Sequence, residues 1–147
     1  MKNKNMKNVF IQGAISSGFI QNSIAKHQSK TDIGAHNIFL GQVRADMIDD
    51  KKVAAIEYTC YQEMANKKFH EIREATFEQF NLTCMHIYHS IGVVDTGDIC
   101  LFVFVSSPRR KEVFRALEYV VEEIKSKAPV FGKEIFEDKS HQWKVNK

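Results

Sequence analysis

Two lysines near the C-terminus, Lys125 and Lys133, lie on either side of a segment that cannot continue a helix. Pro129 lacks a backbone N–H and disfavours helical geometry in the residue before it, so we expect the preceding helix to stop near Lys127. Gly132 lets the backbone bend and bring Lys133 back toward the helix end. Two lysines brought together could bind an anion and exchange protons. The alternative is that cations in a last helical turn only interact with the helix dipole.

Three arginines follow element boundaries at which anions are often bound. Arg109 and Arg110 come directly after Ser107 and Pro108, residues typical of an N-cap and a first helical position. The free backbone N–H groups of a helix start, together with two guanidinium groups, would attract an anion. Arg44 ends a predicted strand, where its planar fork can also face an anion. In each case the alternative is a solvated surface arginine.

The cysteines and histidines do not predict a metal site. Cys60, Cys84 and Cys100 are far apart in apolar runs, which is typical of buried, reduced cysteines in a cytosolic protein. There is no CxxC motif or Cys/His cluster, and no cysteine lies in a basic loop where a reactive thiol is expected. His86 and His89 are three apart in a predicted strand, so they point to opposite faces. We expect one of them to be buried with a hydrogen-bond partner.

Length and composition are typical of one soluble globular domain, residues 1–147. The chain has 44% hydrophobic and 27% charged residues, and its net charge of +3 is too small to indicate nucleic-acid binding. It has no apolar run of about 18 residues and no secretory signal, so we expect a cytoplasmic protein that makes no membrane contact. Residues 1–7 are predicted to be flexible, and the polar segment 45–52 to be a mobile loop or hairpin tip.

Apolar periodicity predicts an α+β fold with a mostly antiparallel sheet and helices on one side. The run 99–105 is continuously apolar, so we expect a central strand that is covered on both faces. Residues 92–98 are predicted to form a turn region. Predicted strands are 9–15, 33–43, 53–59, 82–91, 99–105, 135–136 and 142–145, and predicted helices are 19–28, 61–80 and 108–127.

Four motifs in unbroken order over roughly residues 8 to 145 carry a family resemblance. They are GA with FLGQVR at 34–44, EY with Y and MA at 57–65, HSIG with GD at 89–98, and SPRR with F at 107–114, followed by the 125–134 stretch and Trp143. Together they resemble the large, catalytic subunit of molybdopterin synthase. No single motif is decisive, but the ordered set is specific.

The resemblance implies an α/β-hammerhead type fold with a small β subdomain. It also implies a sulfurtransferase, which gives two sulfurs to cyclic pyranopterin monophosphate to make molybdopterin. The sulfur arrives as the C-terminal Gly-Gly thiocarboxylate of a small ubiquitin-like subunit, so neither a catalytic cysteine nor a cofactor is required. The implied assembly is a heterotetramer around a dimer of the large subunit.

The resemblance also implies roles for individual residues. Lys125 matches the family's catalytic lysine on the last helix. Gln42, Val43 and Arg44 match a strand end that contacts substrate, where an arginine suits the phosphate group. A lysine whose pKa is lowered by neighbouring cations can transfer protons during the reaction.

Two positions depart from the family pattern. Arg109 stands where the family usually has a histidine, and Arg110 matches an arginine thought to reach the site from the other protomer. Gly132 stands where the family has a second important lysine, before Lys133 and Glu134. Either Lys133 takes over that role, which the flexible glycine favours, or the site works with one lysine.

Two other functions remain open from the sequence. Gly132 is compatible with a non-catalytic paralogue that holds an anionic pterin, a nucleotide or the carboxylate of a partner's tail. A basic RNA-binding α+β protein is the third possibility, although no surface motif of alternating aromatic and basic residues supports it.

Overall fold

The computed structural model describes residues 6–146, which form three helices and eight strands. Most of the segment 1–7 that is predicted to be flexible lies outside the described residues. The elements in chain order are β1 (Phe10–Gln12), α1 (Ser17–His27), β2 (Ala35–Gln42), β3 (Met47–Ile48), β4 (Lys51–Thr59), α2 (Gln62–Gln79), β5 (Cys84–Asp95), β6 (Ile99–Ser107), α3 (Arg110–Lys127), β7 (Phe131–Phe136) and β8 (His141–Trp143).

One sheet joins the eight strands. Six strands follow the order β2-β6-β5-β4-β7-β8, and every pairing along this order is antiparallel. β1 pairs in parallel with β5, and β3 pairs with β4. The predicted mostly antiparallel α+β architecture is therefore confirmed.

β6 is the central strand, and its side chains alternate between two cores. Leu101, Val103 and Val105 pack in the cluster formed with α2 and α3, whereas Phe102 and Phe104 pack in the cluster that includes α1 residues. The prediction that this run is covered on both faces is confirmed. α1 departs from the predicted one-sided arrangement of helices, because the two phenylalanines on the other face of the sheet also need apolar cover.

α3 begins two residues later than the sequence predicts. Its N-cap is Arg109, and Ser107 remains in β6, where its Oγ accepts the Arg109 N–H at 3.3 Å. The helix ends at Lys127, as expected from the proline that follows. None of the helices among the described residues is long and apolar enough to cross a membrane.

β5 and β7 are among the strands that are longer than their predicted counterparts. β5 continues through the first half of the predicted 92–98 turn, because the segment from Gly92 to Asp95 pairs with β4. β7 starts at Phe131 and pairs with β4 in an unbroken register through Ile135. The predicted bend at Gly132 is absent, because the backbone at this position is held in the sheet.

The segment 45–52 contains a two-stranded hairpin instead of an irregular loop. Its turn is formed by Asp49 and Asp50, which have φ angles of 51° and 65°. Aspartate tolerates this left-handed region better than most residues. The hairpin alternative is thus the one observed, and the mobility of the segment stays a prediction.

Candidate active site

Lys125 lies in the last full turn of α3, next to the buried Ile124. The residue as a whole is exposed, but its side chain borders a cavity in which neighbouring protein atoms partly shield the ammonium group from water. This desolvation lowers the pKa of Lys125; the nearby Cys100 opposes the change, and Lys144 adds to it. An amine with a lowered pKa can exchange protons nearer neutrality than an ordinary lysine.

Lys125 borders two cavities that also share Lys144 and Asn146. The smaller has a volume of about 240 Å³, and its wall includes Tyr58 and His89. The larger has a volume of about 710 Å³ and opens toward the β3–β4 hairpin; its lining includes Arg44, Glu134, Gln142 and Trp143. Lys125 therefore lies at the junction between the smaller and the larger cavity.

His89 and Tyr58 form a neutral wall of the smaller cavity. Their rings meet edge to face with centroids 5.1 Å apart, and His89 Nδ1 donates to the Ser90 carbonyl at 2.8 Å. Burial lowers the pKa of His89 to about 4, with a further contribution from Lys125, and the hydrogen bond to Ser90 opposes both. Burial, with Cys100 nearby, raises the pKa of Tyr58. At neutral pH neither ring carries a charge, so the lysines dominate the cavity's electrostatics.

Lys144 is the second lysine at the site, and sequence reasoning missed it. Its backbone N–H donates to the Gly132 carbonyl at 2.7 Å, which fixes the residue beside the end of α3. Its half-buried side chain borders both cavities. No spacing rule indicates this residue, because its place depends on the pairing of β8 with β7. Tyr58 and His89, in contrast, lie inside the EY and HSIG motifs, so the motifs could have indicated them as site residues.

Lys133 lies on the other face of β7. Its register partner is Glu57, and its Nζ is 3.4 Å from Glu57 Oε1 and 6.0 Å from the centre of the Trp143 ring. Because residues alternate faces along a strand, Gly132 and Glu134 face the cavities while Lys133 does not. The catalytic role of Lys133 stays a prediction, and it would require the side chain to leave Glu57.

Gly132 and Glu134 form part of the cavity walls on β7. A Cβ atom at Gly132 would lie 3.0 Å from Ile56 Cγ2 and 3.3 Å from Tyr58 Cε1, so a longer residue would push on both. Glu134 is buried at 6% exposure and accepts from Gln142 Nε2 at 3.0 Å. The glycine therefore permits close packing of β7 on β4 beside the site.

The 42–44 segment contributes one side chain to the larger cavity. Arg44 borders it, with its side chain 80% exposed and its fork held by Asp46 at 2.7 and 3.2 Å. Val43 is buried, and its N–H and C=O are bound to the backbone of Asp98 and Gly97. Gln42 is exposed at the end of β2. Of the three, only Arg44 is placed beside Lys125.

Arg109 and Arg110 are at the opposite end of α3. They border a separate cavity of about 630 Å³ together with Gly34, Lys111 and Phe114. An 18-residue helix separates them from Lys125 by about 25 Å. Within one chain these arginines and Lys125 cannot hold the same small molecule.

The fold and the site together define a mixed α/β protein with a cationic cavity at the C-terminal end of a helix. A family model described as "MoaE protein" matches residues 15–127, and the chain belongs to this family. The resemblance seen in the sequence motifs is thereby confirmed.

Curated relatives agree with this assignment. The chain is 36% identical over 121 residues to the molybdopterin synthase catalytic subunit of Bacillus subtilis, covering 82% of this chain and 76% of the relative. It is 35% identical over 122 residues to the protein of the same name from Emericella nidulans. That alignment covers 83% of this chain and 62% of the relative, so the chain spans less than two thirds of the longer protein.

Solved structures share the fold. Molybdopterin synthase from Staphylococcus aureus superposes with a TM-score of 0.80 at 32% identity, covering 96% of this chain and 99% of that chain. A complex of subunits 1 and 2 of molybdopterin-converting factor from Helicobacter pylori gives a TM-score of 0.77 at 19% identity, covering 91% and 87%. The second likeness concerns the fold alone.

Proposed function

We propose that this chain is the catalytic subunit of a molybdopterin synthase. In the proposed reaction, sulfur passes from the thiocarboxylated C-terminus of a small ubiquitin-like subunit to cyclic pyranopterin monophosphate. The observation that carries the proposal is Lys125, an amine of lowered pKa in a cavity that it shares with Lys144 and, on its wider side, with Arg44. The names of the curated relatives support the same activity.

The cavity chemistry suits this reaction. The substrate's phosphate is an anion, and Lys125 and Lys144 supply positive charge to the smaller cavity, whose lining has no carboxylate among the described residues. On the wider side Arg44 adds a cation that is paired with Asp46. The sulfur nucleophile comes from the partner's thiocarboxylate, so this chain needs to supply positioning and protons. Opening of the cyclic phosphate releases an alkoxide, and in this proposal the Lys125 ammonium protonates it.

Lys144 provides a cation where the family pattern loses one at Gly132. Its backbone is bound to Gly132 itself, and its side chain enters both cavities beside Lys125. In this proposal Lys144 assists Lys125, and Glu134 and Gly132 shape the wall on which the pterin lies. Lys133 would contribute only after release from Glu57.

The distant arginines belong to the site only if a second copy supplies them. Arg109 and Arg110 are exposed at the start of α3, beside the exposed Phe114. We infer that a homodimer brings this end of one chain to the Lys125 cavity of the other, and that small subunits complete a heterotetramer. A cytoplasmic location is compatible with the three free cysteines.

Reconstitution with thiocarboxylated small subunit and pterin substrate tests the activity. Lys125→Ala should lower the yield of molybdopterin by at least about 100-fold, since general acid–base groups contribute about that much. Lys127→Ala is the matched control, because Lys127 is in the same helical turn but is exposed and paired with Glu123 at 2.8 Å. Equal turnover in both variants would refute the proposal.

A non-catalytic binding module is the second candidate, and Gly132 is the observation that favours it. The same reconstitution separates the two functions. If the wild-type chain binds the pterin or the partner's tail but forms no sulfurated product, the result would support the non-catalytic binding module.

A further inference from the structure

A cluster of nitrogen and sulfur side chains lies on the α1 face of the sheet, which is the face opposite α2 and α3. His27 comes from the last turn of α1, and Cys84 and His86 come from the same face of β5. One potential ligand atom from each of the three lies within 4.8 Å of the other two. The proposed sulfur-transfer chemistry uses none of these groups.

The hydrogen bonds around His27 fix which ring nitrogen carries the lone pair and where that lone pair points. His27 Nδ1 is 2.7 Å from the Ser23 carbonyl, which can only accept, so Nδ1 carries the proton. The lone pair of Nε2 then points at His86 Nε2, 2.8 Å away. A histidine whose other ring nitrogen is bound to a backbone carbonyl is the usual arrangement of a metal-ligating imidazole.

Burial and position also suit an ion-binding cluster. His27 is 8% exposed and Cys84 is 7% exposed, while His86 is half-buried and borders a cavity of about 300 Å³. The ring of Phe104 lies beside both imidazoles, at 4.8 and 6.4 Å between centroids. The two imidazoles therefore border a small cleft, and the buried Cys84 lies behind them within 4.8 Å.

We propose that His27, Cys84 and His86 form a Zn²⁺ site that fastens the end of α1 to β5. Two imidazoles and a thiolate are a ligand set that zinc prefers, and water would take the fourth position. The ion needs nitrogen–nitrogen and nitrogen–sulfur separations of about 3.3–3.6 Å. The distance between the two Nε2 atoms must therefore increase slightly from 2.8 Å, and Cys84 Sγ must move closer to both nitrogens. Small side-chain rotations can make both changes.

Two lysines must yield when the ion enters. Lys30 Nζ is 2.9 Å from Cys84 Sγ, and Lys7 Nζ is 3.4 Å from His86 Nδ1. Lys30 and Lys7 are exposed residues and can turn to solvent. His86 then carries its proton on Nδ1, and the thiol proton is released, so zinc uptake should acidify the solution.

The test is titration of the untagged full chain with Zn²⁺ and, in parallel, with Co²⁺. We expect one zinc per chain, a rise in Tm of at least about 5 °C at saturation, and a thiolate-to-cobalt charge-transfer band in the near ultraviolet. Cys84→Ser should remove the band, and His27→Gln should weaken zinc binding at least about 100-fold. Cys60→Ser and His141→Gln are the matched controls and should change neither.

Two results would overturn the site. The first is absence of zinc binding at micromolar concentrations by the wild-type chain, or a cobalt spectrum without the thiolate band. These wild-type measurements do not depend on whether a variant folds. The second is unchanged zinc affinity in folded Cys84→Ser, which would place the ion elsewhere.

Discussion

The two ends of α3 present cations in opposite electrostatic settings. At its N-terminus, Arg109 and Arg110 are exposed where the helix dipole is also positive. At its C-terminus, Lys125 faces the negative end of the dipole, in a cavity whose desolvation lowers its pKa. Arginine stays protonated under all ordinary conditions, whereas lysine in such a place can give and take a proton. One end is suited to holding an anion, and the other is suited to chemistry on it.

In the proposed homodimer, this difference would divide the work between two copies of the chain. The length of α3 keeps its two ends about 25 Å apart, so no single chain can use both ends on one substrate. A dimer that joins unlike ends would combine fixed charge with proton transfer in each site.

The largest expected effect separates charge from proton exchange at the C-terminal end. Lys125→Arg keeps a cation in the cavity but removes a group that titrates in the accessible range. We expect kcat for molybdopterin formation to fall by about 10²–10⁴-fold with KM changed little. Lys125→Ala should lose substrate binding as well. If Lys125→Arg retained wild-type kcat, Lys125 would serve only as a charge.

The next effect tests whether the two ends meet across a dimer. Arg110→Ala should lower turnover strongly by itself. Mixing it with Lys125→Ala and allowing subunits to exchange should restore about a quarter of wild-type activity, because half of the dimers then hold one intact composite site.

Lys111→Ala mixed with Lys125→Ala is the matched control, since Lys111 borders the same cavity as Arg110, and it should give about half of wild-type activity whether or not the subunits exchange. Activity of the Arg110 mixture that stays at the level of the single variants would show that the ends do not complement each other.

A smaller effect distinguishes the two lysines near Gly132. Lys144→Ala should lower kcat/KM by about 10- to 100-fold, because it removes a charge beside Lys125 inside both cavities. Lys133→Ala should change it less than about threefold, because its ammonium pairs with Glu57 on the other face of β7. The opposite ranking would show that Lys133 moves into the site on substrate binding.

Much of the fold and one side of the site could be predicted from the sequence. The apolar run of β6 and the proline after α3 affect only neighbouring residues, so they could be interpreted from the sequence. They correctly predicted the central strand and the position of Lys125 near a helix end. Of the residues named from the motifs, Arg44 and Glu134 border the larger cavity, whereas the side chains of Gln42 and Val43 do not, and the binding roles of all four stay predictions.

The remainder depends on contacts between distant segments. Lys133 faces away because β7 pairs with β4 in regular register, and Lys144 faces the cavity because β8 folds back on β7. The His27–His86 contact joins residues 59 positions apart, from a helix and a strand. Spacing rules describe neighbours on one element, so they could not predict any of these three arrangements.

The buried wall of the C-terminal cavity should make the protein sensitive to acid. The pKa of His89 falls from an ordinary 6.5 to about 4 on folding, so the unfolded chain binds more protons between these values. The free energy of unfolding should therefore decrease as the pH drops below 6.5, by about 2 kcal/mol at pH 5 from this residue. Urea unfolding of His89→Asn at pH 7 and pH 5 should lack that part of the loss. The exposed His141→Asn should behave as wild type.

The smallest effect concerns the coupling between the two cavity lysines. Lys144 lowers the pKa of Lys125 by like-charge repulsion, after burial as the main cause. Lys144→Ala removes this repulsion, so the protonated form of Lys125 becomes easier to keep and its pKa rises. The inflection of the pH–kcat profile that belongs to Lys125 should therefore move to higher pH. Lys144→Arg retains the repulsion and should leave the inflection in place. A shift to lower pH in Lys144→Ala would mean that Lys144 acts on Lys125 through structure and not through charge.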